Sequence, residues 1–207
     1  MREHASNKTM ALKLNYTWRP DSLGPRWPWE NTQPLQLCLM DERARSLKAE
    51  LISGIDSVLS EFRLPLQIAI ARLRTRRLIE RLLSDCSRNG AVLCWELLKT
   101  LNLQRQRESS LQTGLIIAFD GNQRRLDDES SYKPNEPPEW GWTQDDGLIL
   151  VRITRPQPLR NVVRHEMGHL LGIGQHHVNC VMSWECMKEE FCATCKQAIS
   201  ETCQLAD

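Results

Sequence analysis

No apolar run in this 207-residue chain approaches the roughly 18 residues that a membrane-spanning helix needs. The opening stretch, MREHASNKTMALKLNYTWRP, lacks the apolar centre of a secretory signal, so a cytoplasmic protein is expected. Excess charge of either sign is missing too. A formal net charge of +1 leaves no overall electrostatic footprint for nucleic acid or an anionic membrane, and neither is expected as a partner. There is no internal repeat, and no tyrosine follows Tyr132. What is present, 41% apolar and 26% charged residues, fits an ordinary globular domain with a proper core, expected as a monomer.

In a reducing compartment disulfides are disfavoured, so clustered thiols point to metal. Of the eight cysteines, five lie between Cys180 and Cys203. Cys38, Cys86 and Cys94 are scattered and read as buried small apolar residues.

Residues 1–33 are rich in Pro, Trp, Asn and Arg without a regular period. They read as an irregular arm packed onto the body through Trp18, Trp27 and Trp29. A folded domain over 34–200 and a tail over 201–207 follow. Strands are expected at 35–40, 65–73, 113–119 and 147–153. Leu47, Leu51, Ile55, Val58, Leu59 and Phe62 fall on one stripe of a helix over 41–62, with Asp41 as its N-cap. Helical pieces at 75–86 and 91–103 are split by the turn text SRNG. Residues 120–146 read as a functional loop or a disordered insertion. The order predicts an α/β (α+β) fold on one mixed sheet, ending in a helix over about 158–172.

That helix carries HEMGH. His165 and His169 are four positions apart and so share one helical face, about 6 Å apart along the axis, which lets both imidazoles reach one Zn2+. Glu166 adjoins the first ligand and is placed to act as general base on water. Gly172 stands seven positions after His165, where a glycine lets the chain turn sharply and bring a third ligand back to the metal. In the extended motif HExxHxxGxxH that ligand falls at residue 175, which is Gln; His176 and His177 follow at once.

Beyond the helix, HVNC (177–180) and CATC (192–195) share an i, i+3 spacing. His177, Cys180, Cys192 and Cys195 together offer a Cys3His tetrahedron for structural zinc, with Cys186 as a reserve ligand. Met182 lies on the turn that follows.

This text resembles the archaemetzincins, whose signature runs HExxHxxGxxHC, four residues, CxM, then CxxC. His165, Glu166, His169, Gly172, Cys180, Met182, Cys192 and Cys195 match it in order, and the likeness covers roughly residues 147–196. The resemblance implies a single compact metzincin-like domain acting as a zinc metallopeptidase on peptides or proteins. It implies two zinc ions, one catalytic on His165 and His169, one structural on Cys180, Cys192 and Cys195, with Glu166 as general base and Met182 forming the Met-turn. The departure is local. The family's His-Cys pair stands here as His176-His177, one position late, with a shortened spacer to Cys180. In one alignment His176 completes the catalytic site and His177 the structural one. In the other Gln175 keeps the third place and His176 serves the second zinc, leaving the first site weak. Accordingly the peptidase reading has an alternative, a catalytically weak or inactive zinc scaffold, supported by Gln175 and by the lack of a tyrosine near Met182. Thiol redox through Cys192 and Cys195 is a third.

Of the remaining features, the five arginines between 72 and 81 read as a solvated helix face. Arg164 reads as a surface ion pair or a contact to a substrate carboxylate. Trp140, Trp142 and Trp184 read as cleft-lining or sheet-packing residues, and Glu185, Glu189 and Glu190 as an acidic surround.

Overall fold

The run Leu-Gln-Leu-Cys-Leu forms strand β1 (Leu35–Leu39). It is the first element in a computed structural model that describes residues 34–105, 107–108, 111, 113–127, 140–144, 147–154, 158–174, 176–183 and 188–202. The N-terminal arm with its three tryptophans, Gln175, Trp184, Glu185, Cys186 and Cys203 lie outside the described residues. Next come α1 (Glu42–Ser46), α2 (Lys48–Glu61), β2 (Ile68–Ile70), α3 (Leu73–Asp85), β3 (Ser87–Arg88), β4 (Ala91–Leu93) and α4 (Cys94–Arg105). They are followed by β5 (Leu115–Asp120), β6 (Arg125–Asp127), β7 (Gly141–Gln144), β8 (Leu148–Ile153), α5 (Leu159–Leu170) and α6 (Ala193–Thr202).

The architecture is mixed α/β. Five strands in the order β2-β1-β5-β8-β7 make the main sheet. The first four are parallel, and β7 closes one edge antiparallel to β8. Side chains alternate across the sheet and meet helices on both faces. Leu37, Ile116, Ile149 and Val151 face one core with Leu51 and Ile55 of α2 and Val162 and Met167 of α5. Cys38, Ile117, Phe119 and Leu150 face a second core with Ile79 of α3 and Leu97 of α4. Burial on both faces explains why β5 and β8 are nearly unbroken apolar runs. Cys38, Cys86 and Cys94 lie buried in the second core, as their scatter suggested. No described helix is long and apolar enough to cross a membrane.

Five expectations need correction. The helix over 41–62 is two helices that meet at Leu47. Asp41 does cap the first, accepting from the Ala44 amide at 2.8 Å, but it also accepts from the Asp120 amide at 2.6 Å. Arg43 pairs with Asp120 at 3.1 Å, so α1 is pinned to the end of β5. The strand over 65–73 is only three residues long, and α3 starts already at Leu73. The helical piece beginning at 91 is instead a hairpin followed by a helix. Asn89 and Gly90 both take positive φ, the geometry of a tight hairpin turn, and β4 then pairs with β3 and with β6 in a small second sheet. Residues 120–146 are not a plain loop: their described part supplies β6 and β7. Helix α6 also runs on into the expected tail.

Helix α5 lies within its expected bounds. After its C-cap, Leu171, the chain turns through Gly172 at φ 99. The Ile173 amide donates back to Gly168 at 3.0 Å and the Gly172 amide to His169 at 3.0 Å, a Schellman closure that favours glycine at this position. The arginines of α3 behave as a solvated face, with Arg74 paired to Glu108 at 3.1 Å.

Candidate metal centres

Helix α5 is buried along nearly its whole length, including His165 and Glu166. The Schellman turn sends the chain back past it, and His176 returns to the two histidines. The Nε2 atoms of His169 and His176 stand 3.0 and 3.2 Å from the Nε2 of His165, and the three side chains form one group able to hold a metal ion.

Protonation states decide what this cluster is. His165 Nδ1 is 2.9 Å from the Val181 carbonyl and His169 Nδ1 is 2.6 Å from the Ile173 carbonyl. A carbonyl can only accept, so both Nδ1 atoms carry the proton and both Nε2 atoms turn lone pairs toward each other. Burial, with the neighbouring His169, pushes His165 down to about 3. Burial also lowers His169 and, with the adjacent histidines, takes His176 down to about 4. Converging neutral imidazoles repel one another unless a cation sits between them. A tetrahedral ion with metal–nitrogen bonds of about 2.0–2.1 Å holds its nitrogens about 3.3–3.4 Å apart. The separations seen here lie close to that edge, so the residues fit a metal.

The sign of the pH dependence follows. Between roughly pH 6.5, the ordinary histidine value, and the folded values of about 3 and 4, the unfolded chain binds protons that the folded chain refuses. Stability therefore falls as pH is lowered through this window. Urea unfolding of the metal-free chain should show its midpoint dropping steadily from pH 6.5 to 4. A midpoint flat over that range would contradict the neutral, buried cluster.

Met182 is fully buried on a turn closed by the Ser183 amide donating to Cys180 at 3.0 Å. Its sulfur lies against Gly168, where any Cβ would overlap it, so the glycine between the two helix histidines makes room for the thioether. Glu166 is turned toward β7. Thr143 donates to its Oε2 at 2.5 Å, and a Cβ at Gly141 would overlap its carboxylate.

His176 and His177 fall in different candidate groups. The His177 amide donates to Met182 at 3.0 Å, closing the loop. Its Nδ1 faces Cys192 Sγ at 3.8 Å, and His177, Cys192 and Cys195 form a second group able to hold a metal. Cys192 and Cys195 sulfurs are 3.5 Å apart. Cys180 stands beside this group, its sulfur 3.7 Å from Cys195 and accepting the Cys192 amide at 3.1 Å. Sulfurs on a tetrahedral ion with bonds of about 2.3 Å stand about 3.8 Å apart, so this set also fits. Burial opposes ionisation of Cys192, but the Cys195 amide, the Cys195 and Cys180 thiols and the Thr194 amide together outweigh it and hold that thiol below the usual range. Burial and the neighbouring thiols push Cys195 up.

Arg164 forms the expected ion pair, but a buried one rather than one at the surface. It is 5% exposed and donates to Glu61 at 2.6 Å, Ser57 at 2.7 Å and the Glu189 carbonyl at 2.7 Å, with its guanidinium over Phe191. Glu61 also pairs with Lys196 of α6 at 3.0 Å. One carboxylate thus joins α2, α5 and α6, tying the two centres to the same frame. Glu189 and Glu190 are exposed. Trp142 packs edge-to-face on Trp95 at 5.5 Å and Trp140 on the first core, so both pack on the sheet rather than line a cleft.

Sequence reasoning missed Gly141 and Thr143. A signal was present: Asp-Gly at 146–147, between WGWTQ and LILVRI, is a hairpin turn pair. Compared with protein-family models, characterised proteins and solved structures, the chain matches none.

Proposed function

We propose that this chain is a zinc-dependent peptidase of metzincin-like fold. The catalytic zinc is held by His165, His169 and His176, and a second, structural zinc by His177 and Cys192 with Cys195 and Cys180. The observation that carries this reading is the convergence of three histidine Nε2 atoms on a helix that also carries a buried glutamate. The signature text from His165 to Cys195, shared with the archaemetzincins, supports it further.

Zinc, when bound, supplies Lewis acidity that acidifies water and polarises a substrate carbonyl. The chain's own residues do the rest. Val181 and Ile173 carbonyls fix the tautomers that present Nε2 to the metal. Glu166 takes a proton from the attacking water and returns it to the leaving amine. Strand β7, last in the sheet order, borders Glu166 with an edge whose backbone groups can pair with an extended peptide. That edge favours a peptide over a small-molecule substrate.

The test is zinc per chain, by elemental analysis, in wild type, His176→Ala and Gln175→Ala. Two zincs in wild type, one lost in His176→Ala and none in Gln175→Ala, is the expected pattern. One zinc in wild type, unmoved by either substitution, would sink the peptidase and leave the scaffold reading.

A further inference from the structure

Glu166 sits on a helix, but what orients its side chain lies on a strand. Thr143 and Gly141 are two residues apart on β7 and so share one face of it. At Gly141 the space a side chain would fill is taken by the Glu166 carboxyl group itself, from its Cγ to Oε1. At Thr143 the hydroxyl meets Oε2 at 2.5 Å. The same hydroxyl oxygen is 3.2 Å from the Glu166 carbonyl, but a hydroxyl has a single proton to donate and the nearer acceptor takes it. Threonine is β-branched and stiff at χ1, so its donor is preset rather than recruited. Register fixes the rest: Thr143 pairs with Ile149 and Gly141 with Val151 of the buried strand β8.

We infer that Thr143 is a positioning residue that holds the Glu166 carboxylate in its working orientation, and that Gly141 is the vacancy the carboxylate occupies. The consequence for catalysis rests on the peptidase reading above; the hold itself does not. A carboxylate shifted by about 1 Å loses on the order of 10²-fold in rate, so the hydroxyl has a large effect without touching substrate or metal.

Thr143→Val keeps the shape and removes the donor; Thr143→Ser keeps the donor. In the zinc-loaded protein, Thr143→Val should lower kcat on the order of 10²-fold with KM and zinc content unchanged, and Thr143→Ser should stay near wild type. A Thr143→Val enzyme of wild-type kcat would overturn the inference. So would equal losses in the valine and serine variants, which would mark a packing role. A second readout needs no activity. In the metal-free protein, proton NMR should show a downfield, slowly exchanging hydroxyl proton correlated to Thr143. It should vanish in Thr143→Val and in Glu166→Ala and persist in Thr143→Ser. If wild type cleaves no peptide yet shows this proton, the peptidase reading falls and the hold stands. If wild type lacks the proton, the hold itself is refuted.

Discussion

Glu166→Gln should lose peptide hydrolysis by about 10²–10⁴-fold, the range general-base removal takes from a rate, while retaining both metals. The amide keeps the length of the side chain and can still accept from the Thr143 hydroxyl, so the packing against β7 survives. It cannot take a proton. None of the candidate ligand atoms belongs to Glu166, which is why metal content should not move. Elemental analysis beside single-turnover cleavage of a peptide library separates these effects. Undiminished turnover by the variant would remove the general base from the mechanism, and loss of metal with turnover would make Glu166 a structural residue instead.

Cys195→Ser should have the second large effect, on metal content and not on one centre alone. Structural zinc in small domains supplies roughly 10–16 kcal/mol of apparent binding free energy. The loop between the two centres is held otherwise by bonds such as His177 to Met182 and Val181 to Glu190, each worth about 1 kcal/mol net. With a poor oxygen ligand in place of the buried Cys195 sulfur, the second ion should leave. His177 is then released, and its neighbour His176 loses the constraint that keeps it 3.2 Å from His165. The expected result is loss of the second metal together with a catalytic metal that a mild chelator strips readily. Cys86→Ser, buried in the other core, should keep both ions and serves as control. Two tightly held metals in Cys195→Ser would show that the centres are independent.

What could be read in the sequence follows from how local each cause is. The apolar runs of β1, β5 and β8, the bounds of α5, the stop at Gly172 and the Asp41 cap depend on residues a few positions apart, and they were legible. The histidine pair at i, i+4 was legible for the same reason. The break at Leu47 was not, because nothing in the local text marks it and the contacts of Asp41 and Arg43 with Asp120 join residues far apart in the chain. Strand β7 was hidden inside polar, proline-rich text whose composition outweighed its turn signal. The ion pair expected of Arg164 was legible but its burial was not, because satisfaction by Glu61, Ser57, Glu189 and Phe191 is a property of three distant segments meeting. Between His176 and Gln175, spacing alone left two alignments open; the folded chain brings His176 to the helix pair.

Every candidate ligand, from His165 to Cys195, follows Ile153, the last residue of the main sheet. A chain leaving the ribosome therefore completes all five sheet strands before the first metal-binding side chain exists. Even then His165 has no fixed tautomer until the Val181 carbonyl has been synthesised and docked. Metal held by these two groups would therefore be captured after the main sheet has been synthesised.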